Sequence, residues 1–352
     1  MEKHCSIILV NWNGWQDTIE CLETIFKQDY QNFSVVLVDN GSDDESVEKI
    51  ESWAKSDAVY LETKHPRLVF PIAKRPIHIQ TIKNIDLVKV KRNNNIINNG
   101  LTVYLILNSE NLGFAKANNI AIRFALNELA SDYIFLLNND TVIERNCLSI
   151  LIANIERYQD YEVLQPSIYY YEYPEKIWNV GGIILPWAQS KYFKRLKNNK
   201  FIPSSFVTGC ALFLKSNLIK EIGLFSEKFF HGEEDFEFSM RLKQKNKKAA
   251  VVVDSKVYHK IAVSASKQWK NDEERILNFA LNRLINLRDY LPNYTWKIWR
   301  IFTSIYFFFL MLLKYRLSLG YSYRLIKEII HWSSTLQRVT RTDINQILKK
   351  IR

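Results

Sequence analysis

The first half of the sequence alternates short apolar runs with amphipathic segments, and this alternation constrains the fold more than any other feature. Residues 5–11, CSIILVN, are apolar and rich in β-branched side chains, as is typical of a strand buried on both faces. Residues 15–29 follow with helical spacing of their apolar side chains, and the pair repeats at 33–39 and 43–54. The order strand, helix, strand, helix predicts a parallel α/β sheet.

Four of the predicted strands end in Asn, Asp or Ser residues. The ends read VNWN at 10–13, VDNGS at 38–42, LNSEN at 107–111 and LNNDT at 137–141. In an open parallel sheet the ligand binds beyond the carboxyl ends of the strands. The sequence therefore predicts one polar crevice at this edge of the sheet.

The rest of the chain divides into three parts. Residues 63–100 contain three prolines and the stretch KRNNNIINNG, which predicts an inserted segment on the surface. Shorter strand-like runs between 160 and 260 predict a mixed, partly antiparallel half of the same domain. We expect one α/β domain over 1–270 and a helical, basic and aromatic-rich C-terminal region over 271–352.

Composition indicates a reduced intracellular protein with a substantial core. The chain has 352 residues, 47% of them apolar, which is enough for one large domain or two smaller ones. The four cysteines lie far apart, without metal-ligand spacing, and are expected to be reduced core residues of a cytosolic protein. The apolar run near the N-terminus stops at Asn11 and is too short for an export signal.

Positive charge is concentrated at the end of the chain. Residues 291–352 hold eleven basic and two acidic side chains, so nine of the eleven net positive charges lie there. Such a region favours an anionic partner, either nucleic acid or anionic lipid. The basic residues are interleaved with aliphatic runs and form no recognisable nucleic-acid module, which argues against a nucleic-acid-binding protein.

Residues 301–313, IFTSIYFFFLMLL, form the most apolar stretch. It is shorter than the ~20 residues that cross a bilayer, and no set of spans typical of a processive polysaccharide synthase accompanies it. Cations and aromatic residues flank the stretch, which favours a helix lying in the membrane interface; they are Trp296, Lys297, Trp299, Arg300, Lys314, Tyr315 and Arg316. The alternative is a buried helix that packs on the preceding domain or on a second copy of the chain in a homodimer.

Two of the strand ends carry acidic residues that can have either a structural or a functional role. Asp39 can accept hydrogen bonds from a base or a ribose, or it can simply form the turn Asp-Asn-Gly. Asn138 and Asp140 are two residues apart, so both can face the crevice and offer oxygen ligands to Mg²⁺ or Mn²⁺. The alternative for this pair is a turn or an N-cap for the next helix.

The segment FFHGEEDFEFSMRLKQ at 229–244 places three acids directly after two aromatic residues, a histidine and a glycine. Glu233, Glu234 and Asp235 can occupy the first turn of a helix, where acids are favoured, or one of them can act as a general base. His259 ends the last predicted strand, where a histidine is either structural or a metal ligand. A carboxylate, a histidine and an acidic cluster at loop ends of one domain together suggest an active site.

These motifs in this order resemble the family 2 inverting glycosyltransferases, and most of all the rhamnosyltransferase-like members that build bacterial surface polysaccharides. The resemblance runs from about Cys5 to Tyr290, interrupted by 63–100, and rests on six motifs: VNWNG, VDNGSDD, ENLGFAKANN, LLNNDT, VTGCALFLK and HGEEDFEFSMRLKQ. It implies a GT-A-type α/β fold that binds a nucleotide-diphosphate sugar, with a mostly parallel central sheet and additional C-terminal helices.

The resemblance also implies roles for individual residues. Asp235 corresponds to the catalytic base, while Asp140 and His259 would hold Mg²⁺ or Mn²⁺. Asn138 replaces the first acid of the family's Asp-x-Asp motif, and its neutral amide oxygen is a weaker ligand. The expected nucleotide and donor residues are Asn11, Asp39, Asn111, Gly113, Asn119, Asn138 and Asp140. Those expected on the acceptor and sugar side are Trp178, Gly209, His231, Glu234 and Arg241, with Gly181 and Gly182 as looser matches. Ser264 corresponds to a small residue that follows the histidine in the family.

The implied reaction is one in-line displacement that moves a sugar from a nucleotide-diphosphate donor, dTDP-rhamnose-like or UDP-hexose, to a hydroxyl of a glycan or lipid-linked acceptor. We expect the protein to work at the cytoplasmic face of the cell membrane, with its basic C-terminal region on anionic lipid. An inactive relative that only binds a nucleotide sugar is the alternative, and the presence of Asp140, Asp235 and His259 argues against it.

Overall fold

The computed structural model describes residues 2–56, 61–83, 102–185, 189–195, 199–261 and 271–351. Its strands are β1 (Cys5–Asn11), β2 (Phe33–Asp39), β3 (His78–Lys83), β4 (Thr102–Leu107), β5 (Tyr133–Leu137), β6 (Thr141–Ile143), β7 (Tyr161–Tyr170), β8 (Ile177–Asn179), β9 (Gly182–Ile184), β10 (Ser190–Tyr192), β11 (Phe201–Ser204), β12 (Ala211–Lys215) and β13 (Lys248–His259). Its helices are α1 (Trp15–Ile25), α2 (Ser46–Lys55), α3 (Pro66–Val69), α4 (Phe114–Asn127), α5 (Cys147–Arg157), α6 (Ser216–Ile222), α7 (Glu234–Gln244), α8 (Asp272–Tyr290), α9 (Asn293–Leu313), α10 (Leu319–Thr335) and α11 (Arg341–Ile351).

One large sheet forms the centre of the molecule, in the order β11-β13-β7-β12-β5-β1-β2-β4-β3. The strands β5, β1, β2, β4 and β3 form a continuous parallel block, while β12 is antiparallel to both of its neighbours. The predicted α/β architecture, with a largely parallel first half and a mixed second half, is confirmed. Asn11 at the end of β1 is in register with Asp39 at the end of β2, so these polar ends lie side by side.

The core lies on both faces of this sheet because successive side chains of a strand point to opposite sides. Ile7 and Leu9 of β1 pack with α1, α2 and α5 on one face. Ile8 packs with α4, α6 and α7 on the other face. This two-sided burial explains why β1 and β2 are apolar at nearly every position. All four cysteines are buried and unpaired, as the sequence predicts.

The segment predicted as a surface insertion takes part in the fold. Within residues 61–83, Val69 and Ile77 are buried. Strand β3 pairs in parallel with β4 at the edge of the sheet. This part of the segment is therefore not a purely surface excursion. Its polar sequence is compatible with a strand, because an edge strand has a partner on one side only. Residues 84–100 of the predicted insertion lie outside the described residues, as does Ser264.

A second difference concerns Thr141–Ile143, since the helical spacing of 142–158 predicts a helix that includes the last two of these residues. These residues form strand β6, which pairs antiparallel with the end of β13, and His259 is the partner of Thr141. Helix α5 begins only at Cys147. Because β6 is three residues long, its pattern is too short to separate from the helix that follows, yet it brings Asp140 beside His259.

The four C-terminal helices pack around their own apolar core, which includes Leu281 of α8, Met311 of α9, Ile329 of α10 and Ile347 of α11. Phe229, from the segment before α7, belongs to the same core. The C-terminal region thus packs against the α/β domain at the acidic segment.

Helix α9 is longer than the apolar stretch seen in the sequence. It runs for 21 residues from Asn293 to Leu313, and by length and composition alone it is able to cross a membrane. The expectation that this segment is too short for a span is therefore wrong as to length, because the helix starts eight residues before Ile301. Only 17% of its most apolar window is buried, so the helix exposes most of its apolar surface.

Candidate active site

A polar crevice lies where the carboxyl ends of the central strands meet, as the strand ends predict. The residues around it come from the ends of β1, β2, β4 and β5, the start of α4, and two loops of the second half; they are Val10, Trp12, Asn40, Asn111, Phe114, Asn118, Leu137, Asn138, Asn139, Gly209 and His231. The structure thus brings together Asn111, Asn138, Gly209 and His231, which sequence reasoning selected separately.

Asp39 and Asn11 are direct chain neighbours of the crevice residues Asn40 and Trp12, and they lie in a closed network of hydrogen bonds. The carboxylate of Asp39 accepts from Nδ2 of Asn11 at 2.8 Å, from the backbone N–H of Ser42 at 3.0 Å and from its hydroxyl at 2.7 Å. Thr18 donates to Oδ1 of Asn11 at 2.8 Å. The turn predicted for Asp39 is therefore present, and only 3% of the residue is exposed.

The loop after β4 forms the next part of the crevice wall. Asn40 donates to Oδ1 of Asn111 at 3.0 Å, and the same oxygen accepts from the backbone N–H of Gly113 at 2.9 Å. Gly113 has a positive φ of 82°, and a Cβ at this position would lie 2.4 Å from the carbonyl oxygen of Phe230. A glycine is therefore required for the start of α4 to approach the acidic segment this closely.

The acidic segment starts helix α7 and lies beside the crevice, which the preceding His231 lines. Glu233 precedes the helix in a left-handed conformation, and Glu234 and Asp235 occupy the first turn. The Cβ that Gly209 lacks would lie 4.0 Å from Cβ of Asp235, so this residue borders the crevice wall. The prediction that these acids begin a helix is confirmed. They also lie next to the predicted site, so a role as general base stays a prediction.

Burial perturbs all three acids of this segment. It raises the pKa of Glu234 to about 8, although the backbone N–H of Gly232 donates to Oε1 of Glu234 at 2.9 Å. Burial also raises the pKa of Asp235, while hydrogen bonds from the backbone N–H of Phe236 and from the Thr208 hydroxyl oppose the rise. Raised carboxyl pKa values in a cleft are typical of groups that exchange protons.

Asp140 and His259 form a pair at the junction of β6 and β13. Oδ1 of Asp140 lies 3.1 Å from Nε2 of His259, and both side chains are less than a tenth exposed. Burial alone would lower the pKa of His259, but Cys210 and the Asp140 carboxylate together outweigh it and raise the pKa well above its ordinary value. The Trp178 ring packs on the imidazole with centroids 4.9 Å apart, which fixes its orientation.

This pair fits a divalent cation in donor chemistry. A carboxylate oxygen and an imidazole nitrogen are ligands that Mn²⁺ accepts, and two protein donors leave most of an octahedral shell for diphosphate oxygens and water. An ion bound there would require the neutral form of His259. Among the residues that the structure describes, no group of three or more His, Cys, Asp or Glu side chains has metal-binding geometry.

Two residues chosen from the resemblance make structural contacts. Asn119 is 1% exposed, and it bonds to the backbone N–H and C=O of Phe225 and to Glu227. Arg241 pairs with Glu237 at 2.9 Å and donates to the carbonyl oxygen of Ile222 at 2.6 Å. Asn119 thus ties α4 to the loop before α7, and Arg241 ties α7 to α6, while their expected donor-side and acceptor-side roles stay predictions.

Sequence reasoning missed the asparagines of α8 that hold the acidic segment. Asn278 and Asn282 both donate to the carbonyl oxygen of His231, and Asn286 donates to Oε2 of Glu233 at 3.2 Å. The four-residue spacing of these asparagines was the available signal, because it places them on one face of a helix.

It also missed Lys260, which directly follows His259. Its backbone N–H donates to the carbonyl oxygen of Asp140 at 2.9 Å, and its ammonium group pairs with Asp17 at 2.6 Å and Glu20 at 2.5 Å. These contacts link the Asp140–His259 pair to helix α1. No pattern in the sequence connects Lys260 with acids more than 200 residues away.

Two proteins of known role are similar to part of this chain. The low-salt glycan biosynthesis hexosyltransferase Agl10 of Haloferax volcanii is 24% identical over 41% of this chain and 47% of its own length. The glycosyltransferase GlyG of Streptococcus pneumoniae serotype 4 is 24% identical over 66% of this chain and 64% of its own length. The chain thus spans between about half and two thirds of the length of these relatives.

Among solved structures, GalNAc-T7 with UDP, GalNAc and Mn²⁺ is similar to 82% of this chain, with a TM-score of 0.51 and 19% sequence identity. At this identity the likeness concerns the fold alone, and it confirms the predicted GT-A-type architecture.

Two family models match the sequence itself. The model of glycosyl transferase family 2 matches residues 6–69, which include β1 and the Asp39 turn. The model of glycosyl transferase family group 2 matches residues 133–336, which include Asp140, Asp235 and His259 as well as helices α8 and α9. Because the second model covers more than half of the chain, the protein belongs to glycosyl transferase family group 2.

Proposed function

We propose that the protein is an inverting glycosyltransferase that moves a sugar from a nucleotide-diphosphate donor to a hydroxyl of a glycan or lipid-linked acceptor. The observation that carries this proposal is the position of Asp235. This buried carboxylate lies on the first turn of α7, next to Gly209, which lines the crevice at the ends of the parallel strands. Membership of the glycosyl transferase family supports the reaction class.

The donor would lie along the strand ends. The base and the ribose would bind beside Asn11 and Asp39. Hydrogen bonds to the nucleotide would replace part of the present hydrogen bonds of these two residues. Asn111, Gly113 and Asn138 would face the diphosphate, next to the start of α4, where a helix N-terminus favours negative charge. A dTDP-rhamnose-like donor follows from the sequence resemblance, and a UDP-hexose is the other candidate of the same chemistry.

Asp235 would act as the general base. In an inverting transfer, a base removes the proton of the acceptor hydroxyl while the hydroxyl oxygen attacks the anomeric carbon and the nucleoside diphosphate leaves. The ionised form of Asp235 is required for this step. Glu234, His231 and Gly209 beside it, together with Trp178, would shape the acceptor and sugar side.

Asp140 and His259 would hold a Mn²⁺ or Mg²⁺ ion, with the Asn138 amide as an additional neutral ligand. When bound, such an ion offsets the negative charge that develops on the leaving diphosphate. Trp178, packed on His259, would keep the imidazole oriented toward the ion.

We further propose that residues 1–270 form the catalytic unit and that residues 271–352 hold it at the cytoplasmic face of the membrane. The exposed apolar residues of α9 and the nine net positive charges of residues 291–352 support this attachment. An anionic membrane surface offers both the apolar and the electrostatic complement.

The test is a screen of dTDP-, UDP- and GDP-linked sugars with Mn²⁺ or Mg²⁺, in which release of nucleoside diphosphate is measured for wild type and for Asp235→Asn. We expect the variant to fold, to bind nucleotide as wild type does, and to lose turnover by ~10²–10⁴-fold. Glu234→Gln serves as the matched control with a smaller loss. Nucleotide binding without turnover in wild type would identify an inactive nucleotide-sugar-binding protein instead.

A further inference from the structure

A groove outside the crevice separates the acidic segment from helix α9. It has a volume of ≈ 590 Å³, which is within the ~300–1,000 Å³ of typical ligand pockets. Its lining includes the charged residues Glu233 and Arg283 and the aromatic residues Phe279, Trp299, Phe302 and Tyr306. None of them has a role in the donor site described above.

The outer wall of the groove is aromatic and open to solvent. Phe302 and Tyr306 line the groove and are 64% and 61% exposed. The same helix exposes Ile301, Ile305 and Phe309 beside them. The groove is therefore continuous with the apolar face of α9, the helix whose length and composition suit a membrane.

The inner end of the groove is charged and lies at the acidic segment. Nη2 of Arg283 is 2.9 Å from Oε1 of Glu233, and its guanidinium group lies 4.3 Å from the centre of the Phe236 ring. Glu233 is two residues before Asp235, and Phe236 directly follows it. The groove thus leads from the exposed face of α9 to the neighbourhood of the proposed base.

We propose that this groove holds the hydrocarbon chain of a membrane-embedded, lipid-linked acceptor and presents the acceptor's sugar to Asp235. This inference rests on the proposed function and specifies its acceptor. An amphiphile with a polar head fits the groove, with the head near the Arg283–Glu233 ion pair and the chain along Phe302 and Tyr306. The chain would then pass directly from α9 into the bilayer.

The charge around the groove disfavours a second copy of the chain as its occupant. Homodimers usually bury the same surface of both subunits. Residues 291–352 carry nine net positive charges, so two such surfaces would face each other with like charge. An anionic lipid surface complements that charge and also covers the apolar face.

The experiment uses the full chain on phosphatidylcholine vesicles that contain farnesyl phosphate with a diazirine at the end of its chain. After illumination, mass spectrometry maps the labelled peptides. We expect labelling in the α8 and α9 peptides that line the groove. The double variant Phe302→Ser, Tyr306→Ser should lose at least ~10-fold of this labelling, because it removes the outer wall.

The matched control is Ile305→Ser, Phe309→Ser. These residues are 49% and 52% exposed on the same helix but do not line the groove. Both double variants should lose vesicle flotation to a similar extent, and labelling is compared per bound protein. Retained labelling in the control supports the groove.

Equal loss of labelling in both variants would overturn the proposal, as would labels spread evenly along α9, because α9 would then merely lie on the membrane. A concentration-dependent dimer that only the Phe302, Tyr306 variant loses would also overturn it in favour of a homodimer contact.

The labelling experiment does not depend on turnover, so it tests the groove separately from the proposed transfer. A protein labelled in the groove that releases no nucleoside diphosphate from any donor would refute the proposed transfer and leave the lipid groove standing.

Discussion

The side-chain amide of Asn282 donates a hydrogen bond to the backbone carbonyl oxygen of His231 at 3.0 Å, across a separation of 51 residues. Asn278, one turn earlier on α8, donates to the same oxygen at 2.9 Å. Both asparagines are fully buried. The segment that carries the proposed base is therefore held by a helix of the C-terminal region, which makes that region part of the catalytic structure as well as a candidate membrane anchor.

Removal of both amides should impair turnover more than donor binding. Asn278→Ala, Asn282→Ala leaves the buried carbonyl of His231 without these donors, at a cost of about 1–3 kcal/mol in stability. We expect kcat to fall by at least ~10-fold because Asp235 loses its fixed position, while the affinity for nucleotide stays near that of wild type. Kinetics and nucleotide titration check this, with Asn154→Ala, which removes a hydrogen bond within α5, as the control. Equal losses in kcat and nucleotide affinity would contradict a positioning role.

The central part of the fold was predictable because periodicity identifies buried parallel strands. Residues 5–11 of the predicted strand are the residues of β1, and the polar strand ends do meet in one crevice. The acidic segment was recognisable because three acids directly after aromatic residues indicate either the start of a helix or an active site. In each case the signal lies within about ten residues of sequence, which is the range over which a pattern of side chains reports local structure.

Several features that could not be predicted from the sequence depend on contacts between distant segments. Strand β6 is too short for a pattern, and its existence depends on β13 more than 100 residues later. Asn119 and Arg241 have the residue types of ligand contacts, yet their partners are protein groups that only the fold supplies. The start of α9 was missed because Lys297 and Arg300 interrupt its apolar pattern, although neither residue ends a helix.

The Asp140–His259 pair predicts a cation dependence that does not require turnover. In wild type, Mn²⁺ together with a nucleoside diphosphate should raise the thermal unfolding temperature, because a ligand that binds only the folded state stabilises it. Asp140→Asn should abolish the part of the shift that needs Mn²⁺, since a neutral amide is a weaker ligand. Asp254→Asn, on β13 but outside the pair, is the control. An unchanged Mn²⁺ shift in Asp140→Asn would remove this residue from the cation site.

Glu234 should make the protein less stable at alkaline pH. Its pKa is about 8 in the folded protein against an ordinary value of 4.5. The contribution to stability is therefore fully present below pH 4.5 and is lost as the pH rises through 8, with a slope of at most about 1.4 kcal/mol per pH unit for one proton. Glu234→Gln should lose less stability than wild type in denaturant titrations between pH 5 and 9. The exposed variant Glu48→Gln should follow wild type.

The pH dependence of turnover should report Asp235. Since the base must be ionised, kcat at saturating donor should rise with pH through the raised pKa of this carboxyl group. Burial is the main cause of the raised value, and the Thr208 hydroxyl partly opposes it. Thr208→Val removes that hydrogen bond and should move the rise to higher pH. The buried threonine variant Thr24→Val, remote from Asp235, should leave the profile in place, and a shift of equal size there would refute this assignment.

Association with anionic vesicles should depend on the basic residues at the two ends of α9. Lys297, Arg300, Lys314 and Arg316 flank its apolar face, and each cation near an anionic surface contributes about 1 kcal/mol. Replacing all four by Gln should weaken binding to phosphatidylserine vesicles by up to about 10³-fold and remove most of its salt dependence. The control replaces four exposed lysines elsewhere, with the same change in net charge: Lys3, Lys64, Lys200 and Lys248. If both quadruple variants lose binding equally, the attraction belongs to the net charge of the whole protein and α9 has no special part in it.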